Sequence, residues 1–184
     1  MNRNEIITGS IGYIAQKNNQ SIAESFLNCD CIVLIDVSGS MQNVDKSGKS
    51  RYDRACESLA NLQNILPGKI AVVSFSDKVR FEPSGIPFFE GGTTDLTAGL
   101  RFIKIGDVQD MSFVVISDGQ PDDRSSALAV AKTFKNKIDV IFVGDETDLD
   151  SIKFMNELAK VSGGKQITAD CEKISEKVQY LLTS

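Results

Sequence analysis

The sequence predicts an α/β protein: a doubly wound, mostly parallel sheet with helices on both faces and one short antiparallel edge strand. Three observations carry this. Short apolar runs such as Cys31-Ile32-Val33-Leu34-Ile35 and Phe113-Val114-Val115-Ile116 read as strands buried on both faces. Amphipathic helical patterns separate these runs, so strand and helix alternate along the chain. Two strand ends carry a carboxylate followed closely by a glycine, at the edge where open α/β sheets bind ligands.

Residues 1 to 28 form an N-terminal extension. Ile11, Ile14 and Ala15, then Ile22, Ala23, Phe26 and Leu27, predict one or two amphipathic helices broken around Asn18-Asn19. A helical extension packed on the outer face of the sheet is the simpler expectation, and a partner-docking helix is the alternative. The α/β domain is expected over residues 29 to 184. After the first strand, Arg51 to Leu66 reads as a helix with Ala55, Leu59, Leu62 and Leu66 on one stripe, stopped by Pro67-Gly68. Ile70 to Phe75 is a strand, and Lys78 to Phe81 returns as the antiparallel edge. Leu96, Leu100 and Ile103 mark a helix. Asp123 to Phe134 is the next helix, Ile138 to Val143 a strand ended by Gly144, and Leu149 to Ser162 a helix closed by Gly163-Gly164. Lys165 to Thr168 predicts a last short strand and Glu172 to Leu182 a final amphipathic helix.

The most informative junction is Asp36-Val37-Ser38-Gly39-Ser40 at the end of the first strand. One carboxylate and two hydroxyls at alternating positions leave the strand together, and Gly39 lets the backbone bend close. Oxygen donors of this hardness suit Mg²⁺ or Mn²⁺ and not zinc. The alternative is local: the serines cap the next helix and Asp36 bonds a turn. A second strand ends in Ser117-Asp118-Gly119, and between the two lies Gly91-Gly92-Thr93-Thr94-Asp95, a threonine-bearing loop that leads into a helix. Two aspartate-tipped strands with such a loop between them in sequence are what a ligand crevice at a strand-order reversal needs.

With these three segments in view, the chain resembles the von Willebrand factor type A (VWA) family from about Cys29 to its C-terminus. Asp36-x-Ser38-x-Ser40 matches the first motif of the family's metal-ion-dependent adhesion site. Thr94 matches the second, lying five residues before Gly99 and six before Leu100, and Asp118 in Ile-Ser-Asp-Gly matches the third. The resemblance implies a Rossmann-like sheet and a metal site formed by Asp36, Ser38, Ser40, Thr94 and Asp118. It implies Mg²⁺ as the cofactor, with Mn²⁺ or Ca²⁺ as alternatives. It further implies that the metal coordinates an Asp or Glu of a protein partner, and that relatives inside cells serve larger assemblies, often beside ring-forming ATPases. The alternative is a structural scaffold in a multiprotein assembly whose metal only stabilises the fold.

Composition narrows the partner classes. The chain has 184 residues, 41% of them apolar, enough for one sizeable core. A net charge of −5 and a sequence pI near 4.8 argue against nucleic acid and anionic membrane as partners. No apolar stretch approaches the roughly 18 residues of a membrane span, and the polar start lacks the pattern of a signal peptide, so a cytoplasmic location is expected. Four cysteines without a Cys-x-x-Cys pair, and no histidine, make a structural zinc site improbable. Cys29 and Cys31, two apart, are expected on one face of a strand, with reduced and buried thiols.

Catalysis is not expected. The Asp-x-Ser-x-Ser strand end superficially resembles the Asp-x-Asp start of haloacid-dehalogenase-type phosphatases. Ser38, however, stands where those enzymes carry the second carboxylate, and a hydroxyl is a poor general acid near neutral pH. Gly48-Lys49-Ser50 looks like the tail of a phosphate-binding loop, but Asn43 replaces the required glycine and no strand directly precedes it. In the same loop Lys46, Lys49 and Arg51 offer an acidic partner a basic rim, or simply a solvated loop. Asp122 or Asp123 is expected to cap a helix, and Asp145, Glu146, Asp148 and Asp150 lack the order of a calcium loop.

Overall fold

In the computed structural model, which describes residues 5–44, 48–168 and 173–183, six strands form one sheet. They are β1 (Cys31–Asp36), β2 (Ile70–Phe75), β3 (Val79–Phe81), β4 (Ser112–Ser117), β5 (Ile138–Phe142) and β6 (Gln166–Thr168). Their order is β3-β2-β1-β4-β5-β6. Neighbours pair in parallel except β3, which runs antiparallel to β2. The chain moves outward from β1 through β2, then returns to lay β4 against the other side of β1. The reversal point therefore lies between β1 and β4, and their carboxyl ends flank the crevice where ligands bind in sheets of this kind.

Helices α3 (Arg51–Ile65) and α7 (Ile174–Thr183) cover one face, and α4 (Leu96–Ile103), α5 (Arg124–Ala131) and α6 (Leu149–Val161) the other. The period of two along each strand sorts the side chains between them. Val33, Ile35, Val72 and Ile116 face Leu59, Leu62 and Val178. Leu34, Val73, Phe113 and Val115 face Leu100, Ala127 and Leu158. β1 is fully buried on both sides, and each such apolar side chain contributes about 1.5–3 kcal/mol. Helix starts follow local chemistry: Ser50, Asp95, Asp123 and Asp148 each accept an N–H from the first turn of α3, α4, α5 and α6. Such caps are worth about 1 kcal/mol each.

The N-terminal segment forms α1 (Ile11–Asn18) and α2 (Ile22–Phe26), both capped by serine. Ile11 joins the α4–α6 core, while Gly9 and Gly12 bond Gly68 and Pro83, so the segment lies beside the end of α3 and the loop after β3. Phe26 meets Phe81 edge-on at 5.8 Å. Beyond that contact Ile22, Leu27, Phe102 and Ile105 line an open apolar groove of about 510 Å³ near the amino ends of the strands. No helix among the described residues is long and apolar enough to cross a membrane.

Two expectations need correction. Cys29 and Cys31 do not share a face: β1 begins at Cys31, the chain bends at Asp30, and the two thiols enter opposite cores. Cys29, Cys31 and Cys56 are free and buried, and burial pushes the thiols of Cys29 and Cys56 up to about 12. Cys171 lies outside the described residues. The helix expected to reach Phe134 ends at Ala131. There Phe134 turns in to stack edge-on with Phe113, and Asp107 accepts the N–H groups of Lys135 and Asn136 at 2.7 and 3.1 Å. A tertiary tie has overridden helical propensity.

Asp107 is 9% exposed. Desolvation alone would raise its pKa, but the hydrogen bonds from Lys135 and Asn136, helped by Lys104, hold it below the usual carboxylate range. Its contribution to stability is therefore complete above the unfolded-state pKa and lost as pH falls through the folded one. Asp107→Ala should cost roughly 1–3 kcal/mol in urea melts at neutral pH. The gap from wild type should narrow toward pH 3; a gap independent of pH would show that packing, not the charge, matters there.

Candidate metal centre

Asp36 ends β1 with a strand on either side, and is fully buried. The register that pairs Ile35 with Ile116 places Asp36 beside Ser117. Asp36 Oδ2 accepts the Ser117 hydroxyl at 2.7 Å, and Oδ1 accepts the Ser38 N–H at 2.9 Å. The second bond is the turn bond anticipated for Asp36. The serine side chains behave otherwise. Ser38 opens a 3₁₀ turn over Gly39–Gln42, yet its side chain makes no capping bond, and its Oγ lies 3.3 Å from Ser40 Oγ. Both hydroxyls are turned toward one place instead of into the backbone.

The loop carrying Thr94 is held by the backbone from two sides. On one, Gly39 donates to Gly92 and Gly91 donates to Val37, at 3.3 and 3.1 Å, which binds the loop to the exit of β1. On the other, the Asp122 N–H donates to the Thr94 carbonyl at 3.1 Å, and Asp122 Oδ2 accepts the Thr94 N–H at 3.3 Å. Thr94 is buried between them. Gly92 makes the turn at φ +78°, where a Cβ would stand 2.8 Å from Asp77 Oδ1, so only glycine suits the position.

Asp118 follows β4 and is 3% exposed. Its Oδ2 accepts Arg51 Nη1 at 3.2 Å, while its Oδ1 is buried and without a hydrogen bond among the described residues. Gly119, at φ +83°, sits against Met155 and Ser151 of α6 and sharpens the turn that aims Asp118 at the crevice. Asp36 and Asp118 lie within electrostatic reach of one another. Burial pushes the Asp36 carboxyl up to about 6; the Asp118 charge adds to this, and hydrogen bonds from Ser38 and Ser117 oppose it.

Of the five residues singled out in the sequence, Asp36 ends β1, Ser38 and Ser40 follow it in the turn, Asp118 follows β4, and the Thr94 loop is tied by backbone bonds to the exit of β1 and to Asp122. The donor set is oxygen only, two carboxylates and three hydroxyls. No three His, Cys, Asp or Glu side chains converge as a metal cluster among the described residues. A buried carboxylate oxygen without a donor is unfavourable, and it, together with the paired neutral hydroxyls after β1, offers the oxygen donors a hard divalent cation takes. The residues fit such an ion.

The neighbouring charges have local duties. Asp123 caps α5, Asp148 caps α6, and Asp145 bonds Thr147. Lys49 pairs with Glu57 at 2.8 Å, and Asp45 and Lys46 lie outside the described residues. Sequence reasoning missed Ser117 as a donor to Asp36, although a lone hydroxyl at the end of an apolar strand was its signal. It also missed the Asp122 clamp on Thr94 and the Arg51–Asp118 pair, which join residues far apart in sequence.

No protein-family model matches the chain, and no curated protein sequence does. Solved structures do. An aerotolerance-related membrane protein from Bacteroides fragilis, carrying multiple mutations to serine, is similar with a TM-score of 0.64 and 17% identity, covering 83% of this chain and 98% of that one. A von Willebrand factor type A protein from Catenulispora acidiphila is similar with a TM-score of 0.57 and 17% identity, over 83% of this chain and 41% of that one. The manganese-loaded TRAP protein of Plasmodium vivax is similar with a TM-score of 0.57 and 16% identity, over 84% of this chain and 74% of that one. At such identities the likeness is one of fold. The chain has the von Willebrand factor type A fold, a Rossmann-like, mostly parallel sheet with β3 as its antiparallel edge.

Proposed function

We propose that this chain is a protein-interaction module whose crevice holds a divalent cation, Mg²⁺ by preference, and through it an acidic residue of a partner protein. The observation that carries this is the unpartnered, buried Asp118 Oδ1, within electrostatic reach of Asp36, whose own turn carries the paired Ser38 and Ser40 hydroxyls. Asp36, Ser38, Ser40, Thr94 and Asp118 would hold the ion, directly or through water. A bound cation of this kind supplies an exchangeable position that a carboxylate can occupy. The chain's own residues do the rest. Ser117 and the Ser38 N–H orient Asp36, Asp122 fixes the height of Thr94, and Gly119 sets the direction of Asp118. Where the neutral hydroxyls contact the ion directly and a carboxylate acts through water, more of the cation's charge is left for an anionic partner. A manganese-loaded protein of the same fold lends support.

We place the module inside the cell, where the free thiols of Cys29, Cys31 and Cys56 persist, and assign it a binding role with no catalysis. Ser38 and Ser40 offer no acid for a leaving group. Millimolar Mg²⁺ should therefore release no phosphate from p-nitrophenyl phosphate in the presence of this protein. Release that disappears in Asp36→Asn would favour the phosphatase.

Thermal melts in chelator and in millimolar Mg²⁺ test the site itself. A cation at a hundredfold its dissociation constant stabilises the fold by about 2.7 kcal/mol, a rise of roughly 5–10 °C for a domain of this size. Wild type should show that rise and Thr94→Ala should lose most of it, with its melt in chelator unchanged within a degree or two. Equal shifts in the two proteins would place the metal elsewhere.

Partner capture separates the module from a scaffold with a merely stabilising ion. Once a partner is in hand, chelator and Ser38→Ala should each abolish binding, as should replacing one Asp or Glu of the partner. Binding that survives chelator would assign the interaction to another surface of the fold.

A further inference from the structure

We propose that Arg51 is a built-in competitor for the cation at Asp118: it occupies the carboxylate when metal is absent and is released when metal binds. This rests on the metal-binding function proposed above and deepens it by naming what sets the affinity.

Arg51 is the first residue of α3, immediately after the capping residue Ser50. A cation there opposes the positive end of the helix dipole, so local structure gives no reason for it. The chain nonetheless delivers it with care. A bridge between Val44 and Ser50 closes the preceding loop, and the Arg51 N–H donates to the Asn43 carbonyl at 3.1 Å. The side chain then reaches across to Asp118, 67 residues away in sequence. The guanidinium is a quarter exposed while the carboxylate is 3% exposed, so the pair joins a movable cation to a fixed anion.

The contact is one-sided. A guanidinium can grip both oxygens of a carboxylate, but here Arg51 Nη1 meets Oδ2 alone and Oδ1 stays bare. Arg51 thus offsets the charge of Asp118 beside the buried Asp36 without completing the coordination of either. A divalent ion accepting the same carboxylate brings two positive charges next to the guanidinium, and the repulsion weakens the pair. Arg51 has somewhere to go. Asp145, exposed on the loop after β5, is held below the usual carboxylate range first by its bonds from Thr147 and further by the charge of Arg51. Turning toward Asp145, whose charge it already feels, would offset part of the ion pair lost at Asp118. Such a pair offsets the charge of Asp118 in the absence of metal and moderates its affinity for the ion.

Calorimetric titration of the full chain with Mg²⁺ and with Mn²⁺ tests this, alongside melts in chelator. Arg51→Gln keeps a polar, unbranched side chain, though a shorter one, and removes the charge. It should bind metal about tenfold more tightly than wild type, the scale of one lost charge-assisted bond, and melt lower in chelator. Arg51→Lys, which keeps the charge, should stay within about threefold of wild type. Asp145→Asn folds around the same Thr147 turn and removes the alternative seat, so it should weaken metal binding by about threefold. Metal binding in wild type with equal or weaker binding in Arg51→Gln overturns the competitor and leaves the metal site standing. If Arg51→Gln fails to fold, unchanged binding in Asp145→Asn overturns release on its own. No binding in wild type or any variant removes the metal site, and the competitor with it.

Discussion

Burying a carboxylate costs several kcal/mol unless donors or cations surround it, and this fold buries Asp36 and Asp118 side by side at the ends of adjacent parallel strands. Each must be answered from nearby. Ser117 and the Ser38 backbone answer Asp36, and Arg51 answers one oxygen of Asp118. The crevice architecture follows from those demands. The 3₁₀ turn after β1 brings the Ser38 N–H to Asp36, the capped start of α3 brings Arg51 to Asp118, and Asp122 draws the Thr94 loop in between. What stays unanswered is Asp118 Oδ1, and the site's chemistry is concentrated there.

The surrounding sheet makes that arrangement rigid. β1 has neighbours on both sides and side chains packed on both faces, so its last residue has little freedom. The loops beyond it are bonded to one another through their backbones: Gly39 to Gly92, Gly91 to Val37, Asp122 to Thr94. A site on loops gains in this way much of the precision of a site on strands.

Much of this was legible in the sequence, because the relevant signals are local. β2 begins and ends where its apolar run does, at Ile70 and Phe75, and Val79 to Phe81 returns as the antiparallel edge. The crevice residues were legible for the same reason: a strand end, a turn and a spacing each lie within a few residues. What the sequence hid depends on distant partners. α5 stops at Ala131 because Asp107 and Phe113 claim the residues after it. Cys29 leaves the strand plane because Asp30 bends the chain, and Arg51 finds its carboxylate only once β4 is beside β1. Hydrophobic period and turn chemistry carry no record of such pairings.

The pinned ends of the loop after β1 have a consequence of their own. Val44 bridges Ser50, and Arg51 bonds Asn43, so both ends of the intervening chain are held whatever its length. Lengthening a tethered loop costs only about 0.6 kcal/mol per doubling. Sequence added between these two pinned ends would leave the preceding turn, with Asp36, Ser38 and Ser40, in place.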